Sequence, residues 1–259
     1  MPMGPVRTEV MWQAVLDAVA LAGGDAAAID ILDLGGGTGS DAVRLALSGH
    51  RLTVVDPSPD ALASLHRRSV EEGVGGAVDG IQGDTSDLAE HVDSASVDLV
   101  LCHGVLEYVD DPSQALAAIA KVLRPGGHVS VVVASRHAAV FARALAGDFV
   151  NAVSLFTTTA SDWDTRTDGP RRFILAEVQE LLSTHGFTVL DTSALRVFAD
   201  LVPSVIVDTE PGARAQLYAL EQLVKKSPEF AALSTGLQSI ARLDWVAEHT
   251  DRGGNDAAL

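Results

Sequence analysis

Over its first half the chain alternates short apolar runs with stretches whose apolar residues recur every three to four positions. The runs Asp30–Leu34, Leu52–Val55, Val78–Gln82, Val97–Leu101 and His128–Ala134 have the length and composition of β-strands. Between them, Asp41–Ser48, Pro59–Glu72, a short turn around Leu88 and Pro112–Leu123 carry helical spacing. Strands alternating with helices predict βαβ units and a parallel, doubly wound α/β sheet. In such a sheet ligands bind outside the carboxyl ends of the strands.

After Ala134 the rhythm breaks. A helix over Ala138–Ala146 is followed by the Thr/Ser/Asp-rich stretch Thr157–Gly169 and the basic pair Arg171 and Arg172. A long insertion at this place, after strand 5, is more often functional than idle. The pattern resumes with a helix at Ala176–His185 closed by Gly186, a strand at Phe187–Leu195, a helix at Gly212–Lys226 and a last strand near Gly236–Leu243. The expectation is a mostly parallel seven-stranded sheet within one domain, residues 1–249. The tail from Thr250, with Gly253 and Gly254, is expected to be disordered.

Composition narrows the class. Of 259 residues, 47% are hydrophobic, enough for a sizeable core. No apolar run approaches the ~20 residues that span a bilayer, so no membrane association is expected. Met1–Arg7 lacks the basic and apolar regions of an export signal. The single cysteine, Cys102, fits a reducing compartment and reads as plain packing, which points to the cytoplasm. No compact His/Cys/Asp/Glu pattern predicts a metal site. With 18 Lys+Arg against 35 Asp+Glu, the net charge of −17 opposes broad phosphate neutralisation.

The segment Ile31-Leu-Asp-Leu-Gly-Gly-Gly-Thr-Gly-Ser-Asp41 is a strand, a glycine turn and a helix start. Gly35, Gly36, Gly37 and Gly39 let the backbone turn tightly and approach a ligand, and the helix N-terminus offers amide donors. The spacing Gly37-Thr-Gly-Ser-Asp-Ala42 also fits a relaxed dinucleotide fingerprint. Asp33 at the strand end would attract an ammonium and repel a pyrophosphate. Asp56, closing the second strand, can accept from both hydroxyls of a ribose. Gly83-Asp84-Thr85-Ser86 closes the third strand, where an adenine edge can be read. Ordinary cap aspartates account for any one of these positions, but not for three at successive strand ends.

Together these segments, with Lys121-Val-Leu-Arg-Pro-Gly-Gly-His-Val-Ser130, resemble the class I S-adenosylmethionine-dependent methyltransferases over residues 29–134. Further motifs extend the likeness to residues 7–245: His103-Gly-Val-Leu-Glu-Tyr108, Asp111-Pro112, Ala146-Gly-Asp-Phe149, Leu195-Arg-Val-Phe-Ala-Asp200 and the spacing from Arg7 through Trp12 to the glycine loop. In these the chain resembles the bacterial tRNA 5-carboxymethoxyuridine methyltransferases. The resemblance implies S-adenosylmethionine as cofactor, residues 29–134 as its binding half and residues 135–249 as the substrate side. It implies that Arg7 meets the cofactor carboxylate, Gly35 and Gly36 line the methionine part, and Asp56 binds the ribose. Thr85 and Ser86 would lie against the adenine, and His103 would close over the cofactor. Where that family carries a lysine-rich stretch after Gly-Asp-Phe, this chain has the polar to acidic Phe156–Thr165. The acceptor is therefore tRNA or a small molecule.

Methyl transfer from a sulfonium is an in-line displacement that needs alignment and exclusion of water. A carboxylate acceptor needs no general base, only a cation to hold it. Arg136, Arg171, Arg172 and Arg196 are the candidates, and Arg196 is singled out with His103 as catalytic. The other reading of Arg171 and Arg172 is that they offset local aspartates. A phenol or amine acceptor would need a base, with His103 or His137 nearest in the chain. Glu107 and Tyr108 read equally as substrate-facing or helix-start residues. The rival functions are a nicotinamide-dependent oxidoreductase and a non-catalytic cofactor-binding regulator. Exposed helices in the insertion and the C-terminal part offer a homodimer surface.

Overall fold

A computed structural model of the chain describes residues 4–159, 163 and 169–244. The expected disordered tail and residues 160–162 and 164–168 of the Thr157–Gly169 stretch lie outside them. The strands are β1 (Asp30–Leu34), β2 (Arg51–Asp56), β3 (Val78–Gln82), β4 (Val97–His103), β5 (Leu123–Ala134), β6 (Phe187–Leu195) and β7 (Gly236–Leu243). They form one seven-stranded sheet in the order β3-β2-β1-β4-β5-β7-β6. Neighbours from β3 to β5 pair in parallel, whereas β7 runs antiparallel between β5 and β6. Strand order reverses between β1 and β4, which opens a crevice at their carboxyl ends.

Helices cover both faces. α2 (Ser40–Leu47), α3 (Pro59–Glu71), α4 (Leu88–His91) and α5 (Pro112–Val122) follow β1, β2, β3 and β4. Local signals start two of them. Ser58 Oγ accepts from Ala61 N ahead of Pro59, and Asp111 accepts from Ser113 N and Gln114 N ahead of Pro112. β4 is almost continuously apolar because both its faces are covered, and Leu99, Val100 and Cys102 are fully buried.

The structure adds elements that the apolar pattern left out. α1 (Val6–Leu21) buries Val6, Val10, Ala14 and Ala18 at four-residue spacing, so Arg7 stands on a helix and not in a loose terminus. β5 begins at Leu123, earlier than the run from His128, and takes the Arg-Pro-Gly-Gly turn into the strand. The insertion is a helical pair, α6 (Arg136–Leu145) and α7 (Phe149–Thr157), turned by Gly147 at φ +76°. Of α7 only Ala152 is buried; Phe149, Val150, Val153 and Phe156 face outward. Residues 169–173 then return to the carboxyl end of β5, where Phe173 bridges Ser135. α8 (Leu175–Thr184), α9 (Ser204–Thr209), α10 (Ala213–Val224) and α11 (Pro228–Ala231) complete the chain. Among the described residues no helix is long and apolar enough to cross a membrane.

Candidate active site

The turn after β1 is built from glycine because nothing larger fits. A Cβ on Gly36 would lie 2.4 Å from Asp33 Oδ2 and 2.9 Å from Val54 Cγ1. One on Gly39 would lie 1.9 Å from Leu65 Cδ1, so this glycine lets α2 approach α3. Gly35, Gly37 and Gly39 all have positive φ. The loop is tied to β2 twice: Gly35 N donates to Val55 O (2.8 Å) and Gly37 N to Asp56 Oδ2 (2.9 Å). Asp56 Oδ1 accepts from Ser58 N (2.8 Å), so both carboxylate oxygens are aimed by backbone amides.

This loop floors a cavity of about 710 Å³ at the switch point, whose walls include Gly35, Asp56, Asp84, Thr85, Ser86 and Tyr108. Four aspartates and no lysine or arginine line it among the described residues. Asp84 is held by Ser86, whose N–H and hydroxyl both donate to its Oδ1 at 2.6 Å; these bonds keep its carboxyl below the ordinary range. Beneath the loop, Asp33 is buried, and burial, with Asp41 and Asp56 adding repulsion, raises its pKa to about 7. A pyrophosphate entering this cavity would meet repulsion, whereas an ammonium and a ribose would find acceptors. The glycine cradle and the acidic walls fit S-adenosylmethionine.

His103 ends β4. Its Nε2 lies 2.8 Å from Ser130 Oγ, which accepts from Gln238 Nε2 at 3.0 Å. Gln238 Nε2 also donates to Ala14 O (2.8 Å), so α1, β4, β5 and β7 share one buried chain of hydrogen bonds. The Ser130 hydroxyl proton is then left for His103 Nε2. Burial lowers the His103 pKa to about 4, so the ring is neutral and a weak base. Burial likewise pushes the Cys102 thiol up, in keeping with a packing role. His137 is exposed at the start of α6.

The expected cations separate into distinct roles. Arg136 is buried, with Nη2 at 2.8 Å from both oxygens of Glu177 and 3.2 Å from Arg172 O, so it braces the insertion instead of offering its charge to an acceptor. Arg171 is buried, donating from its backbone to Glu107 O and from Nη2 to Asp110 O. Arg196 stands just past β6 in the left-handed region (φ +57°), and its Nε pairs with Asp200 Oδ2 at 3.7 Å. Arg7 Nε reaches the other oxygen of the same carboxylate (2.6 Å) and Ala199 O (3.1 Å). Neither Arg7 nor Arg196 lines the 710 Å³ cavity. Glu107 is 5% exposed; its Oε1 accepts from Ala134 N (2.7 Å) and its Oε2 is buried without a partner. Burial raises its pKa, against the attraction of Arg172 and Arg196.

Three residues had no distinguishing signal in the sequence. Asp200 closes the Leu195–Asp200 motif, but its sharing between two arginines depends on packing. Glu221, mid-helix in α10 and 1% exposed, accepts from Val197 N, Phe198 N and Ala199 N at 3.0, 2.8 and 2.7 Å, and so moulds the turn that carries Arg196. Gln238 is the third. Among the described residues no group of three or more His, Cys, Asp or Glu is placed to hold a metal.

The strand order and the glycine-floored, acid-walled crevice define a Rossmann-like enzyme that takes a nucleoside carrying a cationic amino acid. Residues 32–131 match the family model described as a methyltransferase domain. Over 197 residues the chain is 32% identical to the tRNA 5-carboxymethoxyuridine methyltransferase of Escherichia coli K12, covering 76% of this chain and 73% of that one. It is 34% identical over 117 residues to a ubiquinone biosynthesis O-methyltransferase of Xanthomonas axonopodis pv. citri, covering 45% and 48% of the two chains. The protein belongs to the class I S-adenosylmethionine-dependent methyltransferases, and S-adenosylmethionine is its cofactor. Solved structures share the fold at low identity. Magnesium protoporphyrin IX methyltransferase from Synechocystis, with bound S-adenosylhomocysteine, aligns at TM-score 0.58 and 16% identity, over 92% of this chain and 85% of that one. The [4+2]-cyclase SpnF aligns at 0.60 and 20%, over 90% and 82%, so the fold alone does not choose the reaction.

Proposed function

We propose that the protein methylates a carboxylate oxygen, with 5-carboxymethoxyuridine of tRNA as acceptor and the cytoplasm as its place of work. One observation carries the carboxylate: among the described residues Arg7 and Arg196 both pair with Asp200, and Arg172 and Arg196 both attract Glu107, three arginines to two carboxylates. A local positive excess in a chain of net charge −17 is a place for an anion. The likeness to the tRNA enzyme supports the nucleoside.

In this reading Asp33 faces the cofactor ammonium, and Gly35, Gly36 and Gly37 pass close to its methionine part. Asp56 accepts from the ribose hydroxyls with the lone pairs its backbone donors leave. Thr85 and Ser86, braced by Asp84, flank the adenine. Arg7 reaches the cofactor carboxylate through its terminal nitrogens, because Nε is already engaged by Ala199 and Asp200. His103, fixed through Nε2 to Ser130, closes over the site as a neutral ring. Arg196 steers the acceptor, and Gly39 serves the packing of α2. The bound cofactor supplies an activated methyl group, which a carboxylate oxygen takes by displacement as the C–S pair returns to sulfur, with no proton moved. A buried, neutral, already bonded His103 is ill-suited as a base, which supports an acceptor that needs none.

A small carboxylic acid as free acceptor is the second reading. The outward apolar face of α7 favours it, together with the polar to acidic Phe156–Thr165 stretch, where the resemblance to the tRNA enzymes would call for lysines. Incubation with methyl-labelled cofactor and either bulk tRNA or a metabolite extract decides between them. The expected product is label in tRNA that mild alkali releases as methanol, the signature of a methyl ester. Alkali-stable label would overturn the carboxylate, and label confined to the metabolites would overturn tRNA.

A further inference from the structure

Where Ser135 leaves the carboxyl end of β5 and Thr235 enters β7 lies a second cavity, about 460 Å³, within the ~300–1,000 Å³ range of small-ligand pockets. Its polar lining is Ser135, Thr235, Arg172 and Arg143, and its apolar lining includes Ala139 and Ala142 of α6 and Leu155 of α7. Each polar group is placed by the fold. Ser135 is 2% exposed and caps α6 by accepting from Ala138 N, which leaves its hydroxyl proton without an acceptor among the described residues. The Thr235 hydroxyl is turned to Asp200 (2.5 Å), joining this cavity to the Arg7–Asp200–Arg196 group. Arg172 is half-buried between Arg171, whose backbone is bonded to Glu107 O, and Phe173, which bridges Ser135.

Arg172 differs from its neighbours in charge balance. Arg136 is neutralised by Glu177 and Arg143 by Asp148, while Arg7 and Arg196 share Asp200. The Arg172 guanidinium makes no hydrogen bond or ion pair within the described residues, and Glu107, the carboxylate it attracts, spends Oε1 on Ala134 N. A planar cation without a partner among the described residues, lining a small cavity together with a buried hydroxyl donor and alanine and leucine side chains, matches one kind of ligand.

We propose that this cavity is the acceptor pocket and takes a carboxylate carried on a flat or apolar body, the carboxylate on Arg172 and Ser135 and the body against α6 and Leu155. The assignment rests on the methyltransferase reading. It names the chemistry shared by a carboxymethoxy-substituted nucleobase and a free aryl or alkyl acid. Methylation turns the carboxylate into a neutral ester, which loses its hold on Arg172 and leaves.

Phenoxyacetate, a carboxymethoxy group on a flat ring, is the probe, titrated by calorimetry into the full chain saturated with S-adenosylhomocysteine. Binding is expected, with methyl phenoxyacetate at least tenfold weaker. Arg172→Ala is expected to weaken phenoxyacetate at least tenfold, and Arg172→Lys less than that. Ala142→Trp, at the exposed rim, is expected to block the probe. In every variant S-adenosylhomocysteine affinity is expected within twofold of wild type, which shows that the fold is intact. No binding to wild type, or equal binding to Arg172→Ala and Ala142→Trp, overturns the pocket. The same variants assayed with tRNA and with metabolites separate the two sources of acceptor. Full tRNA methylation by both variants overturns the pocket while the carboxylate chemistry stands. Arg172-dependent probe binding without label in either pool supports the pocket while the methyl acceptor reading falls.

Discussion

Asp33 is the residue whose chemistry the fold changes most. Its folded pKa is raised from 3.8 to about 7, so the folded protein keeps a proton that the unfolded chain has already lost. Between about pH 4 and 7 stability in the absence of cofactor therefore falls as pH rises, and it levels off above 7. Thermal melts across that range are expected to show this slope, and Asp33→Asn to flatten it and to be the more stable protein at pH 8. A cofactor ammonium favours the ionised form, so binding below pH 7 is expected to release a proton and to weaken as pH drops. Calorimetry at pH 6.5 in two buffers of different ionisation enthalpy measures that proton, and equal heats would contradict the pairing. Asp56 acts by geometry, with both oxygens aimed by Gly37 and Ser58 amides. Removing a charged hydrogen-bond acceptor costs about 1.5–3 kcal/mol, so Asp56→Ala is expected to weaken cofactor binding about tenfold or more. Unchanged affinity would misplace the ribose site.

At the level of elements, two contacts hold the site in shape. Gly39 lets the α2 N-terminus close on α3, with the left-handed φ (+68°) and Leu65 both excluding a side chain. Gly39→Ala is expected to cost roughly 2–4 kcal/mol from backbone strain and overpacking. Pairing it with Leu65→Ala is expected to cost less than the sum of the two, as a double-mutant cycle in urea would read. Glu221 holds the turn after β6 through three backbone amides. Glu221→Ala leaves these donors buried and unpaired, at about 1–3 kcal/mol each. Loss of at least ~3 kcal/mol is expected, with acceptor KM raised more than cofactor Kd because Arg196 rides on that turn. The strands were legible because apolar runs bounded by turns report a buried sheet directly. α1 was not: Met11, Trp12, Leu16 and Leu21 add apolar side chains outside its buried positions, so no single stripe stands out in the sequence.

The whole molecule separates charge. The crevice between β1 and β4 is walled by carboxylates, the region past β5 and β6 gathers arginines, and the net charge is −17. A tRNA acceptor would then be held by a few contacts around one nucleotide, against long-range repulsion that salt screens. Binding is expected to lose little between 50 and 200 mM salt, with a log–log slope shallower than about −2, whereas a broad basic face would give a far steeper one. A filter-binding titration at several salt concentrations measures it.

The glycine turn, the aspartates at three strand ends and the order of the elements could be read from the chain, because each depends on neighbours within a few positions. Strand spacing reports the pleat, glycine reports the backbone, and both are local. The fates of the arginines could not. Arg136 and Arg172 look alike in the sequence, yet one is spent on Glu177, 41 residues away, and the other lines a cavity. Glu221 and Gln238 likewise acquire their roles from Val197 and Ala14, which meet them only when β6, β7 and α1 come together. Hydrogen bonds and ion pairs across such separations depend on which surfaces meet in the folded core. The cofactor side of this protein was therefore written in local pattern, and the acceptor side in long-range packing.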